Sequence, residues 1–251
     1  MKTNKPILNC VLALVTLWMA SLACQDYESD SSNPTMIAPQ DLSNSDFSRL
    51  RMTGDDLSNK NLSGVNFSHS SLGHTNFANS NCQGAIFDYA YLSGANFSGV
   101  ILDKKWALII DVLTNEGGTN RDLSGSDFSR TDMSGYDFTK ANLQSANFQD
   151  AELYGINFSG ANLSGANFSE AILIGGHAAN FSGANLINAN FSGVDFRVFE
   201  QEELHIDFSF ADLTNAVISP EQLQYAILAC TKLPDGKIAM ENLCLQSTVT
   251  P

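Results

Sequence analysis

Four histidines, 27 carboxylates and five cysteines are the residues of this 251-residue chain with chemistry to offer. His69 and His74 stand five apart, while His177 and His205 stand alone. A zinc site needs three or four nitrogen, sulfur or carboxylate ligands at set spacings, and no cysteine or carboxylate cluster surrounds either histidine of the pair. The carboxylates recur by repetition, as Asp122, Asp127, Asp132 and Asp137 show, so no pair is marked out as the acid and base of a catalyst. Gly-rich phosphate loops, nucleophile elbows and zinc-ligand spacings are missing from the sequence. The expectation is therefore no catalytic residue, no cofactor and no metal. Of the cysteines, Cys82 stands at an apolar position, and Cys230 and Cys244 can pair in an oxidising compartment.

A five-residue beat positions all of these groups. Phe128, Phe138, Phe148, Phe158 and Phe168 fall ten apart, with Leu123, Met133, Leu143, Leu153, Leu163 and Leu173 midway between them. The unit is small–Asn/Asp–Leu/Phe–Ser–Gly, as in Ala161-Asn162-Leu163-Ser164-Gly165. Thirteen central apolar residues run from Leu42 to Leu102, with Met52 and Cys82 as variants, and eleven run from Leu123 to Leu173. Four more stand at Phe181, Leu186, Phe191 and Phe196, and three at Phe208, Leu213 and Ile218. A fixed short period signals a repeat architecture. This one fits neither the helical nor the strand period, and suits a chain that turns a corner every five residues.

The pattern resembles the pentapeptide-repeat family. That resemblance implies an all-β solenoid, a right-handed quadrilateral β-helix in which four units close one coil. The residues supply reasons of their own. The central residue points inward, as does the small one two positions earlier (Ala141, Ala146, Ala151), because a narrow shaft has no room for two large side chains per face. Coils spaced like hydrogen-bonded strands, about 4.8 Å apart, place Phe128 opposite Phe138 and beneath Phe148. Outward residues such as Asn142 and Asn162 stack as amide ladders. Phe148→Asp should collapse the stack locally by burying an unpaired carboxylate. Sequons at Asn66, Asn96, Asn157, Asn167 and Asn190 arise from the repeat itself and carry little information.

Outside the beat, Lys2 and Lys5 precede an apolar run from Ile7 to Ala20 and then Ser21-Leu22-Ala23-Cys24, the layout of an export signal. Cleavage after Ala23 with a lipid on Cys24 resembles a bacterial lipoprotein, although Ser21 replaces the usual Leu. Ordinary signal peptidase cleavage at the same bond would release a soluble chain. Residues 24–40 are polar and acidic and read as a tether. Repeats then occupy 41–102 and 123–218, interrupted at 103–122 by a helical insert. There Trp106, Ile109, Ile110 and Leu113 share a helix face, Asp103 suits the N-cap, and Gly117-Gly118 suits the end. Loops are expected at Ile174–Asn180 and Arg197–Asp207. Residues 219–251 read as a helical cap, with Ser219 as N-cap, Pro220 at the first position and an apolar face of Leu223, Ala226, Ile227 and Cys230.

Charge narrows the partners. The chain carries 13 basic and 27 acidic residues, and cleavage before Cys24 removes two of the basic ones. Direct binding to nucleic-acid phosphates is excluded by that balance. The family resemblance raises an alternative, mimicry of duplex DNA toward a type II topoisomerase. Mimicry requires columns of carboxylate, but Asp122 is followed by Asn142 and Asn162, and Asp127 by Asn147 and Asn167. The expectation is a non-catalytic, rigid, acidic scaffold at the cell envelope, anchored to a membrane through Cys24. Its partner would be an envelope protein or polymer, and a homodimer is also open to it.

Overall fold

The computed structural model describes residues 41–115, 117–173, 177–196 and 205–239, all within one unit, Pro39–Pro251. The export segment, the tether, Cys24, Cys244 and parts of both expected loops lie outside the described residues.

Each residue just before a central one bridges, in parallel, its counterpart twenty residues on, from Asp41–Asn61 through Asn81–Ile101. Four five-residue units therefore make one coil. A second stack begins with Asp122–Asn142, and its register survives the inserted residues, since Asn157 pairs with Asn180 and Asn180 with Asp207. Two sets of backbone bonds join neighbouring coils, for example Phe148 N–H to Asn167 C=O at 2.7 Å and Asn147 N–H to Ser126 C=O at 2.9 Å. At each corner a central carbonyl accepts from the amide three residues on, as Leu143 does from Ala146 at 3.0 Å. The residue two past the centre has positive φ, 67° at Gly64 and 58° at Asn79, which is why the fifth position favours Gly and Asn.

Central residues fill the shaft. Phe128 meets Phe138 edge-on at 5.8 Å and stacks on Phe148 at 5.1 Å. Both geometries are favoured between aromatic rings. Where the small inward residue is polar, its hydroxyl bonds the backbone: Ser80 donates to Phe77 C=O at 2.6 Å and Thr75 to Met52 C=O at 2.7 Å. A dry shaft accepts hydroxyls only when they are satisfied in this way.

Helix α1, Lys104–Thr114, follows the first stack. It buries Trp106, Ile109, Ile110 and Val112, and Trp106 caps the aromatic column by meeting Phe87 at 5.3 Å. Two details differ from expectation. Asp103 precedes the helix but makes no side-chain cap; its Oδ2 accepts from Gly84 N–H at 2.9 Å, tying the helix start to the first stack. Val112 rather than Leu113 is fully buried, because the helix is gripped on more than one side; Leu113 is half-exposed.

The coil also resumes one unit before Leu123. Gly118 N–H bonds Asp137 C=O at 2.8 Å, the contact a central residue makes, so Gly118 holds a central position without a side chain. The ring of Phe138 fills the vacancy, and a Cβ on Gly118 would sit 2.3 Å from Phe138 Cδ1.

The C-terminal helix is shorter than expected. Helix α2 spans only Pro220–Leu223, with Ser219 and Gln222 forming a reciprocal capping box. Gln222 Nε2 also donates to Phe191 C=O at 2.9 Å and Val194 C=O at 2.8 Å, so the cap's anchor is an amide and not an apolar face. Ala226 and Ile227 are not helical: they form strand β2, parallel to strand β1, Ile206–Asp207. Leu228 and Leu233 keep the five-residue beat, and returning to the coil satisfies exposed backbone groups of the preceding one, as when Leu213 N–H bonds Lys232 C=O at 2.8 Å.

Candidate interaction surface

The outward ladder position carries the surface chemistry. Asn142 Nδ2 donates to Asp122 Oδ1 at 2.9 Å, Asn162 to Asn142 at 3.0 Å and Asn185 to Asn162 at 3.1 Å. A second ladder climbs from Asp127 through Asn147 and Asn167 to Asn190. Each rung's Oδ1 also accepts from the amide two residues on, as Asn167 does from Ser169 at 3.2 Å. The first rung has no coil beneath it to receive a donor, so a carboxylate, which only accepts, suits that place. Hydrogen bonds from Ser124 hold Asp122 below the usual carboxylate range. For a depressed group the stabilisation exists above its ordinary value and is lost as pH falls through the folded one, so acid loosens the base of the ladder.

Asn167→Asp tests the ladder. It removes the donor to Asn147 Oδ1, 3.1 Å away, and leaves oxygen facing oxygen. The expected cost is about 1–2 kcal/mol at neutral pH. Protonating the new carboxyl restores a donor, so the loss should shrink in acid; urea melts at neutral and acid pH read this.

The sequence-predicted site residues are dispersed. The His69 ring stacks on Tyr89 at 4.7 Å, and His74 lies against Gly94, where a Cβ would come within 2.5 Å of its Nδ1. Each imidazole is engaged within its own column, and no group of metal-binding residues occurs among the described residues. Cys82 is buried, 1% exposed, and burial lifts its thiol to about 11 despite the Ser80 hydroxyl beside it. It should resist iodoacetamide in the native protein and react only in denaturant, by mass readout. Cys230 is disulfide-bonded, while Cys244 lies outside the described residues. No helix among the described residues is long and apolar enough to cross a membrane.

One feature escaped the sequence. Among the described residues, the last coil of the first stack meets the second stack at one corner, through Tyr89 N–H to Arg130 C=O at 2.9 Å and Arg130 Nη1 to Asp88 at 3.3 Å. Lys105 adds a bond to Ser129 C=O at 2.7 Å. Elsewhere the two coils part, leaving a cleft of about 310 Å³ lined by Tyr91, Leu92, Leu113, Asp132, Ser134 and Tyr136 among others. A neighbouring hollow of about 290 Å³ shares Leu92, Leu113 and Tyr136 and reaches Phe97 and Ile110. Its signal in the sequence is two departures from the repeat: Tyr91 stands at a ladder position and Tyr136 at a small inward one.

Parallel twenty-residue coils, inward Leu and Phe and outward amide ladders define a β-solenoid scaffold built on five-residue repeats. The family model for pentapeptide repeats matches the chain in eight copies, over residues 66–103, 122–160, 151–178 and 161–197, and the chain belongs to that family. No curated protein matches it. Among solved structures it is similar to HetL, a pentapeptide-repeat protein involved in heterocyst differentiation regulation in Nostoc sp. strain PCC 7120, with 23% identity over 80% of this chain and 92% of that one, at a TM-score of 0.27. A pentapeptide-repeat protein of the Arabidopsis thaliana thylakoid lumen is 31% identical over 51% of this chain and 90% of its own, at 0.24. QnrB1, a plasmid-mediated fluoroquinolone resistance protein, is 19% identical over 80% and 98%, at 0.29.

Proposed function

We propose that the protein is a non-catalytic, rigid, acidic scaffold exported to the cell envelope, where a lipid on Cys24 anchors it to a membrane and its coils face an envelope protein or polymer. In finer detail the coil is right-handed, α1 joins the two stacks, and Cys230 pairs with Cys244. The observation that carries the scaffold reading is the ladder: outward amides spend their donors and acceptors on one another, leaving a fixed, chemically quiet surface. Export is supported by the order Lys2, Lys5, Ile7–Ala20 and Cys24. Mimicry of DNA is disfavoured by columns that turn from Asp122 and Asp127 to neutral amide after one coil.

Intact mass and membrane fractionation, beside Cys24→Ala, test this reading. The expected result is an acylated chain starting at Cys24 that leaves the membrane in the variant. An unprocessed cytoplasmic chain would overturn it. Alkylation without reductant, on the same sample, should leave Cys230 and Cys244 unlabelled.

A further inference from the structure

We propose that the cleft between the two stacks binds an extended, basic peptide segment of another protein, seating a lysine or arginine side chain against Tyr91, Tyr136 and Asp132. The inference deepens the scaffold reading and rests on it only for the kind of partner.

The backbone comes first. Within the first stack, Leu72 and His74 donate to Tyr91 and Ser93 of the next coil at 2.9 and 3.0 Å. Their successors Leu92 and Gly94 have no such coil: among the described residues the backbone bond between the stacks runs from Tyr89 to Arg130, and none joins 92–95 to 132–136. The cleft is thus walled by two coil edges, and an extended chain is what completes an open edge.

The side chains choose the sign. Tyr91 is 53% exposed, although an aromatic ring gains most from burial. Its ring lies on the backbone of Gly73, where a Cβ would meet Tyr91 Cε1 at 2.9 Å. Tyr136 occupies the inward place that Ile156 holds one coil later, fully buried; with no coil beneath that corner, the phenol lines the cleft instead. Asp132 lines the same wall, and no lysine, arginine or histidine lines either hollow. Glu152, stacked above Asp132, is held above the ordinary carboxylate range by burial and then by Asp132, against the smaller opposing pull of the Tyr154 phenol and His69. Ser134 Oγ is buried beside the cleft and lacks a hydrogen-bond partner of good geometry, the Tyr154 phenol being its nearest polar neighbour in effect. Aromatic faces with a carboxylate behind them attract a cation, and a peptide's charged side chain supplies one.

The test uses the full chain, isotope-labelled, titrated with capped Ala-Lys-Ala and capped Ala-Glu-Ala up to about 10 mM, since one side chain on one edge gives roughly millimolar affinity. The lysine peptide should shift the amide signals of 91–95 and 132–136, and the glutamate peptide should not. Asp132→Asn keeps the oxygen that accepts from Ser134 N–H at 3.1 Å, so the fold is preserved. It should weaken binding about five- to tenfold, as should Tyr91→Ala at an exposed position. The proposal is overturned if the lysine peptide shifts nothing in the cleft, if both peptides shift it equally, or if both variants bind like the wild type. None of these readings depends on Cys24, so failure here is distinct from failure of the envelope reading.

Discussion

Phe148→Ala should lower stability by about 3–5 kcal/mol, the usual cost of emptying a buried phenylalanine site. The ring is fully buried. It stacks on Phe128 and on Phe168, each at 5.1 Å, and meets Phe158 edge-on at 5.3 Å, so its removal strips three aromatic contacts at once. A stacked coil cannot close the hole, because its backbone is pinned above and below by bonds such as Phe148 N–H to Asn167 C=O. Phe148→Asp should be worse, adding the cost of a carboxylate with no partner in a dry shaft. Since each coil leans mainly on its neighbours, the loss can split the urea transition into two steps. Circular dichroism and tryptophan fluorescence, followed together, read both the magnitude and the splitting. A midpoint equal to wild type would remove Phe148 from the core.

Gly117→Ala should cost about 3 kcal/mol, from positive φ and a backbone collision together. Gly117 has φ of 98°, and a Cβ there would lie 2.4 Å from the carbonyl oxygen of Asp137. That carbonyl accepts the bond from Gly118 N–H that starts the second stack. The residue therefore permits the turn out of α1 and also guards the first contact of the coils that follow. Gly118→Leu is the sharper companion. It restores the residue the repeat pattern favours, yet it should destabilise, because Phe138 and the Leu123 side chain already occupy the space. Thermal melts of the two variants settle the matter; a stabilised Gly118→Leu would mean the coil begins at Leu123.

The repeats were legible because inward Leu and Phe at a strict period leave one way to bury them, and the opposed and stacked contacts of Phe128 followed from that period. Gly118 was hidden for the complementary reason: a central position without a side chain looks like a loop until Phe138 is seen filling it. In the insert, Trp106 and Ile109 announced a helix, but a helical period shows one buried stripe, and Val112 is buried from another side. At the C-terminus, the spacing of Leu223, Ala226, Ile227 and Cys230 suits a helix, while Leu228 and Leu233 keep the coil's beat; pairing with Ile206–Asp207 decided for the coil. The cleft gathers Tyr91, Leu113 and Tyr136 from three separate segments. Only the registration of two stacks at one corner brings them together, and no local pattern encodes that.

The twenty-residue register underlies the ladders, the shaft and the cleft alike. Paired cysteines at Asn142 and Asn162 test it most directly, with a pair at Asn142 and Asn157 as the control. Bridged coil neighbours lie about 5 Å apart, within reach of a disulfide, whereas adjacent faces of one coil do not present their outward residues to each other. Under mild oxidation the first pair should cross-link, read as a joined peptide by mass, and the second should stay reduced. Cross-linking of Asn142→Cys with Asn157→Cys, and not with Asn162→Cys, would contradict the coil.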